Sequence, residues 1–246
     1  MSTANANTDK DLVVGLGATG LSIARYLKRN DANAIFFDSR KEPPGLDDLQ
    51  DVYPDAELRL GNDNLPKGVS RVIASPGVPD SHPLLEKARK KKLDVISDIE
   101  LFARAAEKPF VAVTGSNGKS TVTTLLYYMC KADGREVLAG GNLGEPALDL
   151  LAKDAPDIYV LELSSFQLQR THNLPAEVAL LLNVSPDHLD WHADESEYRA
   201  AKYRIFNDVD AAVINRGDAE SAEKAKHCSR VVSFGLDAPE EGQYGI

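Results

Sequence analysis

The octapeptide Thr114-Gly-Ser-Asn-Gly-Lys-Ser-Thr121 has the residue types needed to hold a row of phosphates. Small residues let backbone N–H groups converge on phosphate oxygens, a lysine reaches the outer phosphates, and a hydroxyl can ligate Mg2+. Gly115 and Gly118 supply the turn, Ser116 and Asn117 lie between them, Lys119 brings the charge, and Ser120 or Thr121 brings the hydroxyl. Only two residues separate the glycines, which departs from the usual G-x-x-x-x-G-K-[ST] spacing. A glycine turn capped by Ser120 is the bland alternative. An apolar strand before the loop, and Val122, Leu125, Leu126 and Met129 at helical spacing after it, favour a nucleotide such as ATP. These four apolar residues are expected to form the buried face of that helix.

A second glycine run, Gly15-Leu-Gly17-Ala-Thr-Gly20, also stands between an apolar segment and a helical pattern. It reports a tight turn and a helix N-terminus facing a diphosphate. The run does not say which diphosphate, because NAD and a nucleotide sugar both carry one. Asp38 follows where a dinucleotide enzyme would hold a ribose, but it opens the run Asp38-Ser39-Arg40.

Further chemistry gathers where apolar runs end. Glu162 interrupts the apolar run of DIYVLELSSFQLQ, and a carboxylate in a buried parallel strand is costly unless a cation pairs with it. Ligands of open α/β sheets lie beyond the carboxyl ends of the strands. Glu162, Ser164 and Ser165 fall at one such end, and Asn183, Asp187 and His188 at the next. An acid beside Mg2+ is expected in ATP chemistry. The ordinary alternative for His188 is an exposed or hydrogen-bonded imidazole, and the neighbouring strand ends favour a functional one. Lys202 shares a helical stripe with Tyr198, Ala201 and Ile205. Such a lysine either snorkels to water or, if buried, has a lowered pKa and becomes nucleophilic.

Composition bounds these readings. The 246 residues, 43% hydrophobic and 27% charged, suit one large globular domain or two ordinary ones. A net charge of −10 argues against nucleic-acid or anionic-membrane partners, so any phosphate is held by local features. Cys130 and Cys228 make no disulfide framework, and Cys130 reads as a small core residue. The polar start lacks the apolar stretch of a signal peptide, and no run approaches a membrane span. A cytoplasmic protein, monomeric, is expected.

The elements that must position these residues alternate as in parallel α/β architecture. Strands are expected near 11–15, 34–38, 71–75, 109–114, 135–139, 158–163, 177–184, 211–215 and 230–234. Helices are expected near 19–30 and 81–92, the latter capped by Ser81 with Pro83 in its first turn. The basic run 87–92 reads as a solvated helix end near the negative pole of its dipole. Residues 97–109 bridge two separate strand–loop–helix units. The fold expected is a Rossmann-like domain over 1–96 followed by a P-loop ATPase-type α/β domain over 97–246. The second domain reads as incomplete, since the chain stops soon after a strand.

The motifs, taken together, are similar to those of the Mur ligases of peptidoglycan synthesis. They are GLGATGLS (15–22), DSR (38–40), SPG (75–77), SDIELF (97–102), TGSNGKST (114–121), GGN (140–142), LELSSFQL (161–168), NVSPDHLDWH (183–192) and YRAAKYRIF (198–206), and they run in family order. The chain most resembles members that use ATP and Mg2+ to join D-glutamate to UDP-N-acetylmuramoyl-L-alanine through an acyl phosphate.

The resemblance implies roles. Gly115 to Thr121 would hold ATP, with Lys119 and Ser120 on the triphosphate. Glu162 and Ser120 would bind one Mg2+, and His188 a second together with carbamylated Lys202. Ala18 and Thr19 would lie on the UDP diphosphate, and Asp38, Ser39 and Arg40 around the uridine, with Ser75, Pro76 and Gly77 lining the same site. Asn142, Ser164 and Gln167 would contact the muramoyl-alanine portion. The family's third domain, which supplies D-glutamate contacts, has no counterpart here, so an inactive fragment is expected. Another amino-acid ligase of the family, or a non-catalytic nucleotide sensor, remains the alternative.

Overall fold

A computed structural model describes residues 10–188 and 190–245. The chain divides into two compact units between Asp98 and Ile99.

The first unit runs β1 (Lys10–Val14), α1 (Ala18–Arg29), β2 (Ala34–Asp38), α2 (Leu46–Val52), β3 (Glu57–Leu60), β4 (Val69–Ala74), α3 (Pro83–Lys90) and β5 (Asp94–Ile96). The five strands form a parallel sheet in the order β3-β2-β1-β4-β5. The strand order reverses at β1, where the chain steps out to β2 and β3 and then returns to β4. Leu12, Val14, Ile35, Phe37, Val72 and Ala74 of the strands pack with Leu84, Leu85 and Ala88 of α3. Burying each large apolar side chain contributes about 1.5–3 kcal/mol. The cap of α3 is His82 rather than Ser81: its Nδ1 accepts the Leu84 N–H at 3.2 Å, with Pro83 in the first turn as expected. An imidazole nitrogen serves here because the helix starts one residue later than the Ser81 cap requires. The basic run falls on the last turn of α3, as anticipated, with Lys87, Arg89 and Lys90.

The second unit continues from α4 (Asp98–Ala105) through β6 (Phe110–Thr114), α5 (Lys119–Ala132), β7 (Val137–Gly141), α6 (Ala147–Leu150), β8 (Ile158–Glu162), α7 (Ser165–Leu168) and β9 (Val178–Leu181). It ends with α8 (Glu195–Tyr203), β10 (Ala211–Asn215), α9 (Ala219–Ala225), β11 (Arg230–Phe234) and β12 (Gln243–Tyr244). The seven strands are parallel in the order β12-β11-β10-β9-β6-β8-β7. Thus β8 and β9 flank β6, and all three are rich in Val, Leu and Ala, as strands covered on both faces require.

The buried face of α5 differs from the expected one. Val122, Leu126, Tyr127 and Cys130 pack against the core of β6, β7 and β8, whereas Leu125 and Met129 are more than half exposed. The expected stripe ran about one position around the helix, since Thr123 is fully buried and draws the face toward itself.

Among the described residues no helix is long and apolar enough to cross a membrane.

Candidate functional site

Each unit presents a site at the carboxyl ends of its central strands. In the first, a cavity of about 360 Å³ is lined by Ala18, Thr19, Asp38, Ser39, Arg40, Ser75, Pro76 and Gly77, with Gly17, Phe37 and His82 among the others. All eight residues expected around UDP therefore share one cavity. The glycine turn explains itself geometrically. A side chain on Gly20 would put its Cβ 2.0 Å from the Gly15 carbonyl oxygen, and Gly15 has φ +93°, so both positions need glycine. Gly17 has open space beside it. It is the N-cap of α1, no side chain caps that helix, and no acid lies in its first turn. Uncapped N–H groups at a positive helix end suit a diphosphate.

Asp38 has no free oxygen lone pair to offer a ribose. Its Oδ2 accepts the Leu16 N–H and Arg40 Nη2 at 2.8 Å each, and Oδ1 accepts Arg40 N and Nε at 2.9 and 2.8 Å. Burial pushes the Asp38 carboxyl up, but the Arg40 guanidinium and the two backbone donors outweigh it and hold the pKa below its ordinary value. Arg40 itself stays half exposed.

In the second unit, β6 leads into the loop of residues 115–118, β8 delivers Glu162, and β9 leads into Asn183. The loop ends in Gly118 at φ +82°, the N-cap of α5, with no side-chain cap and no acid in the first turn. Glu162 is buried at the last position of β8. Its Oε2 accepts Ser120 Oγ at 2.8 Å and its Oε1 accepts Asn142 Nδ2 at 2.7 Å. Gly141 lies so close to this residue that a Cβ would meet the Glu162 carbonyl oxygen at 2.5 Å. Ser120 and Glu162, expected together on one Mg2+, and Asn142, expected on the muramoyl-alanine portion, therefore form one hydrogen-bonded cluster.

Lys119 folds back over the loop, its Nζ donating to the carbonyls of Gly115 at 2.9 Å and Ser116 at 3.1 Å. Lys202 does not snorkel. It is 2% exposed, its Nζ donates to the same Gly115 carbonyl at 2.8 Å, and it lies over the Tyr198 ring at 4.9 Å. Burial, and then the neighbouring Lys119, lower its pKa to about 7. Tyr198, Ala201 and Ile205 are fully buried beside it, as the stripe predicted.

His188 is half exposed in left-handed backbone (φ 52°), with its ring 4.9 Å from Phe166 and 6.3 Å from Tyr198. It faces Asp187 at 3.5 Å. His188 and Lys202 thus both lie against Tyr198. No group of three His, Cys, Asp or Glu side chains able to hold a metal occurs among the described residues. Ser164 and Gln167 close a capping box on α7, with Gln167 Oε1 accepting the Ser164 N–H at 3.1 Å and Ser164 Oγ accepting the Gln167 N–H at 3.3 Å. Gln167 is buried there and serves its helix. The S-x-x-Q spacing carried that signal.

Two residues outside the expected set, and Asn183, which the sequence places at a strand end without a role, also belong to this site. Tyr198 Oη lies 2.7 Å from Ser116 Oγ beneath the loop. Asn183 bonds the loop backbone through both its main chain and its side chain. His192 Nε2 lies 3.0 Å from Ser165 Oγ and ties the segment after His188 to α7. Their partners are distant in sequence, so only composition at strand ends hinted at them.

Comparison with known proteins bears on both units. The profile described as Mur ligase MurD-like, N-terminal domain matches residues 9–97, and that of the Mur ligase middle domain matches residues 113–244. A UDP-N-acetylmuramoylalanine–D-glutamate ligase of Nitrosococcus oceani is 47% identical over 237 residues, covering 96% of this chain and 52% of that protein. The enzyme of the same name from Legionella pneumophila (strain Paris) is 46% identical over 240 residues, covering 96% of this chain and 54% of its own. The chain spans about half the length of these curated relatives. Two solved structures share the fold. UDP-N-acetylmuramate:L-alanyl-gamma-D-glutamyl-meso-diaminopimelate ligase of Neisseria meningitides has a TM-score of 0.58 at 16% identity, covering 95% of this chain and 82% of that one. UDP-N-acetylmuramate-alanine ligase of Thermotoga maritima has a TM-score of 0.52 at 20% identity, covering 93% and 53%.

Proposed function

Because the chain belongs to the Mur ligase family, we propose that it carries the UDP-substrate and ATP sites of a ligase that joins D-glutamate to UDP-N-acetylmuramoyl-L-alanine. Residues 1–96 form the substrate domain and residues 97–246 the ATP domain in this reading. The observation that carries it is the constellation of Lys119, Ser120, Glu162 and Lys202 around one uncapped helix N-terminus. The named relatives at 46–47% identity support the choice of amino acid.

Carboxylate and amine do not condense in water, so the acyl group needs a leaving group. A substrate carboxylate oxygen attacks the γ-phosphorus of ATP while the bond to the ADP oxygen breaks. The D-glutamate amine then attacks the acyl carbon, phosphate departs, and the amine loses a proton. Phosphoryl transfer between anions is limited by charge, and the residues here supply the offset. Lys119 leaves the loop carbonyls for the outer phosphates, and the first-turn N–H groups of α5 hold the inner ones.

The Ser120 hydroxyl and the Glu162 carboxylate, 2.8 Å apart, fit Mg2+, which takes few protein ligands and keeps its waters. That ion would neutralise developing charge on the phosphates. Asn142 holds the second Glu162 oxygen and so fixes the carboxylate plane. Lys202 is an amine that is substantially neutral near pH 7, the form that adds CO2 to give a carbamate. In that form, with His188, it would complete a second cation site.

In the first unit, Ala18 and Thr19 at the start of α1 take the diphosphate, and Arg40, with Ser39, takes the uridine. The committed lone pairs of Asp38 weigh against a dinucleotide. Calorimetric titration of the chain with UDP-N-acetylmuramoyl-L-alanine, MgATP and NADH tests this reading. The nucleotide sugar and MgATP bind, NADH does not, and Lys119→Ala loses MgATP alone. Tight NADH binding without a nucleotide-sugar response would overturn it.

A further inference from the structure

The phosphate loop has two residues between its glycines where the usual pattern has four, and something must hold so short a turn open. Asn183, the second residue past the end of β9, meets the loop three times. Its carbonyl accepts the Ser116 N–H at 2.9 Å. Its Oδ1 accepts the Asn117 N–H at 2.9 Å, and its Nδ2 donates to the Asn117 carbonyl at 3.1 Å. The side chain thus pairs with the Asn117 peptide groups as a neighbouring strand would, continuing the β6–β9 ladder past its last register pair, Thr114 with Leu181. The anchor is itself fixed, because the Leu182 carbonyl before it accepts Asn215 Nδ2 at 3.0 Å.

We propose that Asn183 is a positioning residue for nucleotide binding, acting as a side-chain splint that sets the shortened phosphate loop. Resting on the ATP reading of this loop, the inference adds what orders it. With the Ser116 and Asn117 N–H groups committed to Asn183, the loop cannot collapse onto them. Gly118 is then presented in the left-handed conformation that starts α5 and aims its first-turn N–H groups outward. The amide is the side chain suited to this role, because it alone offers an acceptor and a donor in one plane at this length.

The test uses Asn183→Ala and Asn183→Leu in the same chain, with three readouts. Amide hydrogen exchange followed by NMR is expected to speed up at least tenfold at Asn117 and to stay unchanged at Ser116, whose partner is a main-chain oxygen. MgATP affinity by calorimetry is expected to fall about tenfold, which is about 1.4 kcal/mol, while UDP affinity in the other unit is unchanged. Equal MgATP affinity in wild type and variants overturns the splint, as does unaltered exchange at Asn117. If the wild type binds no MgATP, the ATP reading fails instead, and the exchange result alone decides whether Asn183 orders the loop.

Discussion

Lys119 and Lys202 donate to one oxygen, the carbonyl of Gly115, at 2.9 and 2.8 Å. Two amines on one acceptor cannot both carry full charge cheaply in a site where Lys202 is removed from water. Burial, and then the like charge of Lys119 beside it, favour loss of the proton from Lys202.

This has a consequence for stability. The folded pKa of Lys202 is about 7, below the ordinary value of 10.5. Between those values the unfolded chain binds more protons than the folded one, so this lysine's contribution to stability rises with pH. At pH 6 both states are protonated, and the folded state bears the full cost of a buried ammonium. Lys202→Met is expected to raise the melting temperature at pH 6, with the gain shrinking steadily toward pH 10. Thermal melts across that range measure it, and a pH-independent difference would contradict the assignment.

Removing the neighbour is expected to move Lys202 the other way. In Lys119→Ala the like charge is gone while burial stays, so the Lys202 pKa rises. NMR titration of isotope-labelled lysine side chains, with Lys202→Met to assign the signal, reads the shift. An unchanged midpoint would mean that burial alone sets it.

Two roles within the first glycine run, those of Gly17 and Gly20, separate by substitution. Gly20→Ala forces a methyl against the Gly15 carbonyl and is expected to cost about 2–3 kcal/mol in a denaturant melt. Gly17→Ala has open space and an ordinary φ of −100°, so the melt is expected to stay as in wild type. The added methyl instead stands where the proposed diphosphate would approach, and UDP affinity is expected to drop about tenfold.

Asp38→Asn leaves one acceptor oxygen for donors that now use two, so either the Leu16 and Arg40 Nη2 donors or the Arg40 N and Nε donors face an NH2 group, at a cost of about 1–3 kcal/mol. Because the Asp38 pKa is held below its ordinary 3.8, its contribution is complete above the unfolded value and is lost as pH falls through the folded one. The gap between wild type and variant in urea melts is expected to be constant at neutral pH and to close below pH 4.

Much of this was legible in the sequence because period and punctuation carry it. Strands β1, β2, β6, β8 and β10 announce themselves as apolar runs, and the glycine runs mark where two of them end. The short β3, β5 and β12 lack such runs and depend on pairing with a longer neighbour. The α5 face was misjudged because Leu125 and Met129 match the helical period as well as Val122 and Leu126 do, and only the sheet decides between them. Glu162 and Lys202 stood out as charges in apolar settings. Asn183 was placed at the right strand end but without a partner, and Tyr198 was read only as part of a helix stripe, because an amide or a phenol in such a place is ordinary until its partner is known.

The contact between Lys202 and Gly115 spans 87 residues of chain, and that of Asn183 with Asn117 spans 66. Closing such long intervals is slow, and no local segment gains anything by it before the parallel sheet has formed. The phosphate loop is then among the last features to acquire its native shape, whatever order the strands take. On the ATP reading, nucleotide would bind only molecules that have completed that step, and so would lower the free energy of the finished chain without touching the earlier ones. Bound nucleotide would then stabilise the last-formed feature of the fold.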